Sequence, residues 1–190
     1  MASCNIALIL QLLAVLLLIN FSSKLGSCSR PLSLDQAAED LLDLACNHTL
    51  YSDICVSSLR SDPRSKTSDL KGLAGIALDL SIAQGRGILS RVQKLSSGTS
   101  SNYSDRASES FADCVNEYSD ALEDLSETIS ALREGSCDTL NVLVSGAMTS
   151  GQTCEDSLED SSERISPVAN DSQYFYKLCS NLLAITTLLC

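Results

Sequence analysis

Between Phe111 and Leu132 the apolar residues fall at Phe111, Cys114, Val115, Tyr118, Ala121, Leu122, Leu125, Ile129 and Leu132. Steps of three and four put them on one stripe of an α-helix. The opposite face carries Asp113, Glu117, Asp120, Glu123, Asp124 and Glu127, with no Lys or Arg until Arg133. Carboxylates at i,i+3 and i,i+4 repel one another, by roughly a few tenths of a kcal/mol per pair. The helix must therefore be held by its buried stripe and by whatever Cys114 is bonded to. Its polar face is either a solvated surface or an acidic docking surface for a basic partner.

The chain of 190 residues is long enough for one domain with its own core. Ile6–Phe21 is an uncharged apolar run, followed by small residues through Cys28. It reads as a secretory signal peptide over residues 1–28, although Met1–Asn5 lacks the usual basic residue. The leader would take Lys24 of the 13 basic residues and no acid, leaving 12 basic and 24 acidic side chains, a net of −12. That balance disfavours nucleic acid and anionic membrane as partners and favours cationic ones. With no Trp and little Phe or Tyr, and with Leu, Ala and Ser abundant, the composition suits helices.

The nine cysteines of a secreted chain imply disulfides. Beyond the leader Cys46, Cys55, Cys114, Cys137, Cys154, Cys179 and Cys190 remain, an odd number, so at least one thiol is free or intermolecular. No Cys-x-x-Cys occurs, and no metal or thioredoxin chemistry is indicated. Asn47, Asn102 and Asn170 head glycosylation sequons.

Ser33-Leu34-Asp35-Gln36 reads as a capping box opening a helix to about Cys46, with Leu34, Ala37, Ala38, Leu41, Leu42 and Ala45 on one face. In one straight helix Cys46 and Cys55 would lie roughly 13 Å apart, too far to bond. A bridge between them demands a turn, and hence a stapled helical hairpin. They could also pair elsewhere. After a turn at Ser61–Ser65, Leu70, Leu73, Ala74, Ala77, Leu80, Ala83, Gln84, Ile88, Val92 and Leu95 mark a helix whose four glycines make it depend on packing. The acidic helix follows and stops at Gly135.

A further helix is expected over about Asp138–Asp160, and a last one over Ser172–Leu189 with Tyr174, Leu178, Leu182, Ile185 and Leu189 inward. If the second and third long helices are antiparallel, Cys114 and Cys154 come alongside each other, and such a bridge would be worth about 4 kcal/mol. The expected architecture is all-α: an up-down-up-down four-helix bundle preceded by a short disulfide-stapled helical hairpin.

Catalytic chemistry finds little support. The lone His48 sits between two cysteines, and no nucleophile–base pair, phosphate loop or metal cluster can be discerned. The carboxylates lie on a polar helix face, where nothing splits their pKa values as acid–base work requires. No cofactor and no enzyme activity are expected; a secreted binding module is.

Cys46-x8-Cys55 with Ser61-Asp62-Pro63-Arg64-Ser65 and Asp69-Leu70-Lys71-Gly72-Leu73, then Cys114-Val115-x2-Tyr118-x-Asp120-Ala121, then Val144–Thr149 with Thr153-Cys154-Glu155-Asp156-Ser157, then Leu178-Cys179-Ser180-Asn181, together resemble the plant pectin methylesterase and invertase inhibitors. The resemblance implies an inhibitor domain over 29–190, with the hairpin at 29–62 and the bundle at 63–190. It also implies bridges Cys46–Cys55 and Cys114–Cys154 and a free thiol at Cys179; Cys137 and Cys190 fall outside the usual set.

Invertase inhibitors of this family resemble one another in a Pro-Lys-Phe motif after the second bundle helix. Here the matching positions are Cys137, Asp138 and Thr139. The resemblance therefore leans to the pectin methylesterase branch, implying a one-to-one non-covalent complex across the enzyme's pectin-binding cleft, in the cell wall. The matching contact positions are Asn116, Tyr118, Asp120, Glu123, Thr153 and Asp156, with Asn116 where an acid is often found. Acid invertase is the alternative partner. A carrier of apolar molecules would need an internal cavity, and the adjacent Cys-Cys and Cys-x-Cys pairs of plant lipid-transfer proteins are missing.

Overall fold

A computed structural model describes residues 34–97, 103–160 and 166–190. The proposed signal peptide, the Ser33 cap and the Asn102 sequon lie outside them. Six α-helices and one 3₁₀ turn make up the described chain: α1 (Leu34–Asn47), α2 (Ser52–Ser61), the 3₁₀ turn Pro63–Thr67, α3 (Leu70–Ser96), α4 (Asp105–Glu134), α5 (Cys137–Asp160) and α6 (Ala169–Thr187). The last four pack around a square, α3 on α4, α4 on α5, α5 on α6 and α6 back on α3. The α1–α2 hairpin leans on α3 and α6. This is the expected bundle with its stapled hairpin.

Local chemistry sets the ends of these helices. Asp69 caps α3 by accepting from the Gly72 amide at 2.8 Å, and Ser104 caps α4 by accepting from Ala107 at 3.2 Å. At the far end of α4, Gly135 turns left-handed at φ 74°, and the Ser136 amide reaches back to the Ala131 carbonyl at 2.9 Å. Only a residue without a Cβ takes that conformation without strain, so α4 stops there and α5 folds back beside it.

Among the described residues three disulfides tie the chain: Cys46–Cys55, Cys114–Cys154 and Cys137–Cys190. Cys179 is a free thiol buried in the core; burial raises it to about 12, although Ser81 hydrogen-bonds to it. Thr49 turns the hairpin by donating its hydroxyl to the Cys46 carbonyl at 2.8 Å, while the Asn181 amide donates to Tyr51 at 3.1 Å from α6. Arg64 joins Asp62 to Asp79 and so fastens the 3₁₀ turn to α3.

The inward stripes differ from the spacing in three places. On α4, Ile129 is 40% exposed, and Thr128 is buried in its stead, with its hydroxyl satisfied by the Asp124 carbonyl at 2.8 Å. On α6 Tyr174 is 38% exposed and Phe175 fills the centre, while Leu189 lies past the end of the helix and is 38% exposed too. A step of four from Leu178 selects Tyr174, but the helix is rotated so that Phe175 faces Tyr118, edge to face with centroids 5.6 Å apart. On α3 the buried face also includes Ile76, Leu78, Ser81 and Ile82, while Ala83 lies outside, because this helix meets α4, α6 and the hairpin at once. A Cβ at its Gly85 would sit 3.2 Å from both Leu122 and Phe175, so the glycine permits that close packing.

Candidate functional site

Helices α4 and α5 run antiparallel, and the Cys114–Cys154 bridge draws their backbones to a Cα separation of 4.6 Å. One turn away Ser110 donates its hydroxyl to the Ser157 carbonyl at 2.9 Å. Further along, Asp124 lies over Gly146, where a Cβ would come within 2.5 Å of its carboxylate. These three contacts fix the register of the seam. They also decide which side chains share its outer face: Asp113, Asn116, Asp120, Glu123 and Glu127 from α4, Thr149, Thr153 and Asp156 from α5. All are exposed.

Charge on this face is paired with no cation in the ion pairs of the described residues. Among the described residues, the ion pairs join Arg60 to Glu39 and Asp43, Arg64 to Asp62 and Asp79, and Arg91 to Asp171. None reaches α4. Asp124 shows the consequence: partial burial over Gly146, and then the neighbouring charges of Glu127, Asp120 and Glu123, raise its carboxyl above the ordinary range. On α5 the hydroxyls of Thr153 and Thr149 donate to the carbonyls of Thr149 and Ser145 at 3.1 and 3.0 Å. Their side chains are thereby held in fixed rotamers beside the acids.

Five of the six contact positions implied by the resemblance therefore lie on one exposed surface: Asn116, Asp120, Glu123, Thr153 and Asp156. Tyr118 does not. It is fully buried, because position 118 falls on the same stripe as Cys114, Ala121 and Leu125. Its hydroxyl donates to Ser172 at 2.9 Å, and Ser172 donates to Glu155 at 2.7 Å. Burial raises the Tyr118 hydroxyl, so it stays protonated and acts as a donor. Tyr118 thus positions α4 against α5 and α6 from behind the acidic surface. The sequence reading overlooked Ser172 and Glu155. Ser172 shares the stripe of Phe175, Cys179 and Leu182, which the rotation of α6 and not the spacing selects.

Of the sequon asparagines, Asn47 and Asn170 are exposed. No group of three or more His, Cys, Asp or Glu side chains among the described residues is arranged to hold a metal ion, and no described helix is long and apolar enough to cross a membrane. What the site presents is a rigid, negatively charged strip flanked by threonines. It can bind; it holds no positioned nucleophile and base.

The sequence model for plant invertase/pectin methylesterase inhibitors matches residues 40–185. The chain belongs to that family. Its members are inhibitor proteins rather than enzymes. A protein of Platanus acerifolia named "Putative invertase inhibitor" is 34% identical over 138 residues, covering 72% of this chain and 75% of its own. The pectinesterase inhibitor of Actinidia deliciosa is 28% identical over 187 residues, 98% of this chain and 95% of that one. Among solved structures, a mutant form of a pectin methylesterase inhibitor from Arabidopsis superposes with a TM-score of 0.64 at 28% identity, covering 75% of this chain and 93% of the other. Relatives named for both targets thus surround this member of the family.

Proposed function

We propose that this family member is a secreted inhibitor of pectin methylesterase that acts in the cell wall. Its α4–α5 face would lie across the enzyme's pectin-binding cleft in a one-to-one non-covalent complex. The observation that carries the reading is the strip of carboxylates at Asp113, Asp120, Glu123 and Glu127, in no ion pair among the described residues and held beside Thr153 and Asp156 by a buried disulfide. Exposed like charges cost stability and make no internal contact, which is what a surface complementary to a cationic partner looks like. The whole-length similarity to the Actinidia pectinesterase inhibitor agrees with it. So does the segment after Gly135, where Cys137, Asp138 and Thr139 stand in place of Pro-Lys-Phe. Inhibition is steric and needs no chemistry from the bundle.

Acid invertase is the second reading, favoured by the Platanus relative. In that case the contact would move toward Gly135–Thr139. The test is residual activity of a plant pectin methylesterase and of an acid invertase, each titrated with oxidised protein near pH 5. Loss of esterase activity alone is expected. Loss of invertase activity alone would overturn the proposal, and so would no effect on either enzyme by folded protein.

A further inference from the structure

The three disulfides differ in their access to solvent. Cys46 and Cys55 are 0% and 1% exposed, and Cys114 and Cys154 are both at 0%. Cys190 is exposed and Cys137 half-buried. The Cys137–Cys190 bridge closes the end of the bundle where α3 and α5 begin and α4 and α6 finish. There Lys71 donates to the Arg133 carbonyl at 2.8 Å, and a cavity of about 150 Å³ opens beneath the bridge, lined by Leu132, Leu140 and Leu189. Past Thr187 the backbone holds on through turn hydrogen bonds, Leu188 to Ile185 and Leu189 to Thr186, and both leucines are more than a third exposed.

We propose that Cys137–Cys190 is a reducible latch, opened in the native protein by a dithiol reductant while the other two disulfides stay closed. Thiol–disulfide exchange needs a thiolate in line with the sulfur it attacks, so an exposed bridge reacts from the folded state and a buried one waits for unfolding. One thiolate of the dithiol attacks a sulfur of the pair, the other cysteine leaves as thiolate and takes a proton, and the second thiol of the reductant resolves the mixed disulfide. The bridge gains two electrons and two protons, and the dithiol becomes a cyclic disulfide. Opening releases the segment after Thr187 from the start of α5 and uncovers the apolar cavity. The α4–α5 seam keeps its own bridge, so the latch regulates the closing end of the bundle without dismantling the acidic face.

The experiment exposes the oxidised full-length protein to dithiothreitol without denaturant, quenches with an alkylating reagent at intervals and maps the labelled cysteines. Cys137 and Cys190 are expected to label together, roughly ten-fold or more ahead of the other four bridged cysteines. Cys179 reports global opening and should label last. Hydrogen exchange on the partly reduced protein should speed up at residues 184–190 and stay unchanged along α4. Labelling of Cys114 or Cys46 at the rate of Cys190 would overturn the proposal. So would unchanged exchange at 184–190 after reduction, since the bridge would then restrain nothing. The double variant C137S/C190S should reproduce the faster exchange. If it does not fold, partial reduction of the native chain decides alone. None of these readouts depends on which enzyme is inhibited.

Discussion

The two faces of α4 use polar side chains in opposite ways. On the inner face each one is matched: Tyr118 to Ser172 and on to Glu155, Thr128 to the Asp124 carbonyl. On the outer face Asp113, Asp120, Glu123 and Glu127 have no cation among the described residues. An unmatched hydroxyl in the core costs about 1–3 kcal/mol, whereas an unmatched carboxylate in water costs a few tenths through repulsion of its neighbours. Pairing inside therefore specifies how the helices meet. The lack of pairing outside is tolerable, and it leaves charge available to a partner. If that division holds, inner-face changes should act on stability and outer-face changes on association.

The largest test is Phe175→Ala. Phe175 is buried against Tyr118 and lies over Gly85 and Gly151, so its removal opens a cavity at the meeting point of all four long helices. A loss of about 3–5 kcal/mol in denaturant unfolding is expected. Inhibition per folded molecule should be unchanged, and a lost inhibition in a folded sample would erase the distinction between the faces. The double change C114A/C154A comes next. Closing a loop of 40 residues is worth about 4 kcal/mol, so the unfolding midpoint should fall accordingly. This bridge serves both faces, and weaker inhibition is expected even below the midpoint.

Tyr118→Phe sharpens the comparison, because the resemblance places Tyr118 among the contact positions and the structure places it in the core. Ser172 retains Glu155 as acceptor once the phenol is gone, so the expected cost is about 1 kcal/mol of stability. Inhibition should survive. The opposite result, full stability with lost inhibition, would return Tyr118 to the interface.

The same contrast explains what could be read before the fold was in hand. The four long helices and the turn at Gly135 were legible because each rests on local rules of spacing and capping, whereas reach alone left the pairing of Cys46 open and the family resemblance supplied the staple. The acidic strip was legible for the same reason, since solvent exposure follows from helical period alone. Phe175 in place of Tyr174, and Thr128 in place of Ile129, were not. Those choices depend on the rotation of a helix against its neighbours, which adjacent positions on one stripe do not encode. The Cys137–Cys190 pair was equally hidden. It joins residues 53 apart through the arrangement of all four long helices, and the odd cysteine count left several partners open.

On the outer face, the paired reversal D120K/E123K should keep the fold and raise stability modestly, by about 1 kcal/mol, because it exchanges repulsions for attractions to Glu117, Asp124 and Glu127. Association with the inhibited enzyme, pectin methylesterase under the proposed function, should slow, and its dependence on salt should flatten. Unchanged association by the folded variant would reduce the strip to a solvated surface and shift the search for the contact toward the end of the bundle at Gly135.

The smallest expected effect concerns Asp124, a partly buried acid of α4 that belongs to both faces. Its side chain is pressed over Gly146 and surrounded by Glu127, Asp120 and Glu123, and among the described residues no ion pair from α3, α5 or α6 offsets them. The folded pKa is raised above the unfolded value, so the folded state binds a proton more readily than the unfolded one. The group's contribution is then most favourable below its unfolded pKa and is lost as pH rises through its folded pKa. Asp124→Asn should therefore make the protein slightly more stable at neutral pH, and that advantage should shrink as the medium is acidified. Unfolding midpoints of parent and variant between pH 7 and pH 3 check the sign. Gly146→Ala supplies the complementary case: its methyl group would push the carboxylate toward water, lower its pKa and remove most of the same difference. If neither change alters the pH profile, Asp124 belongs wholly to the outer face, and the boundary between pairing and exposure runs along the seam itself.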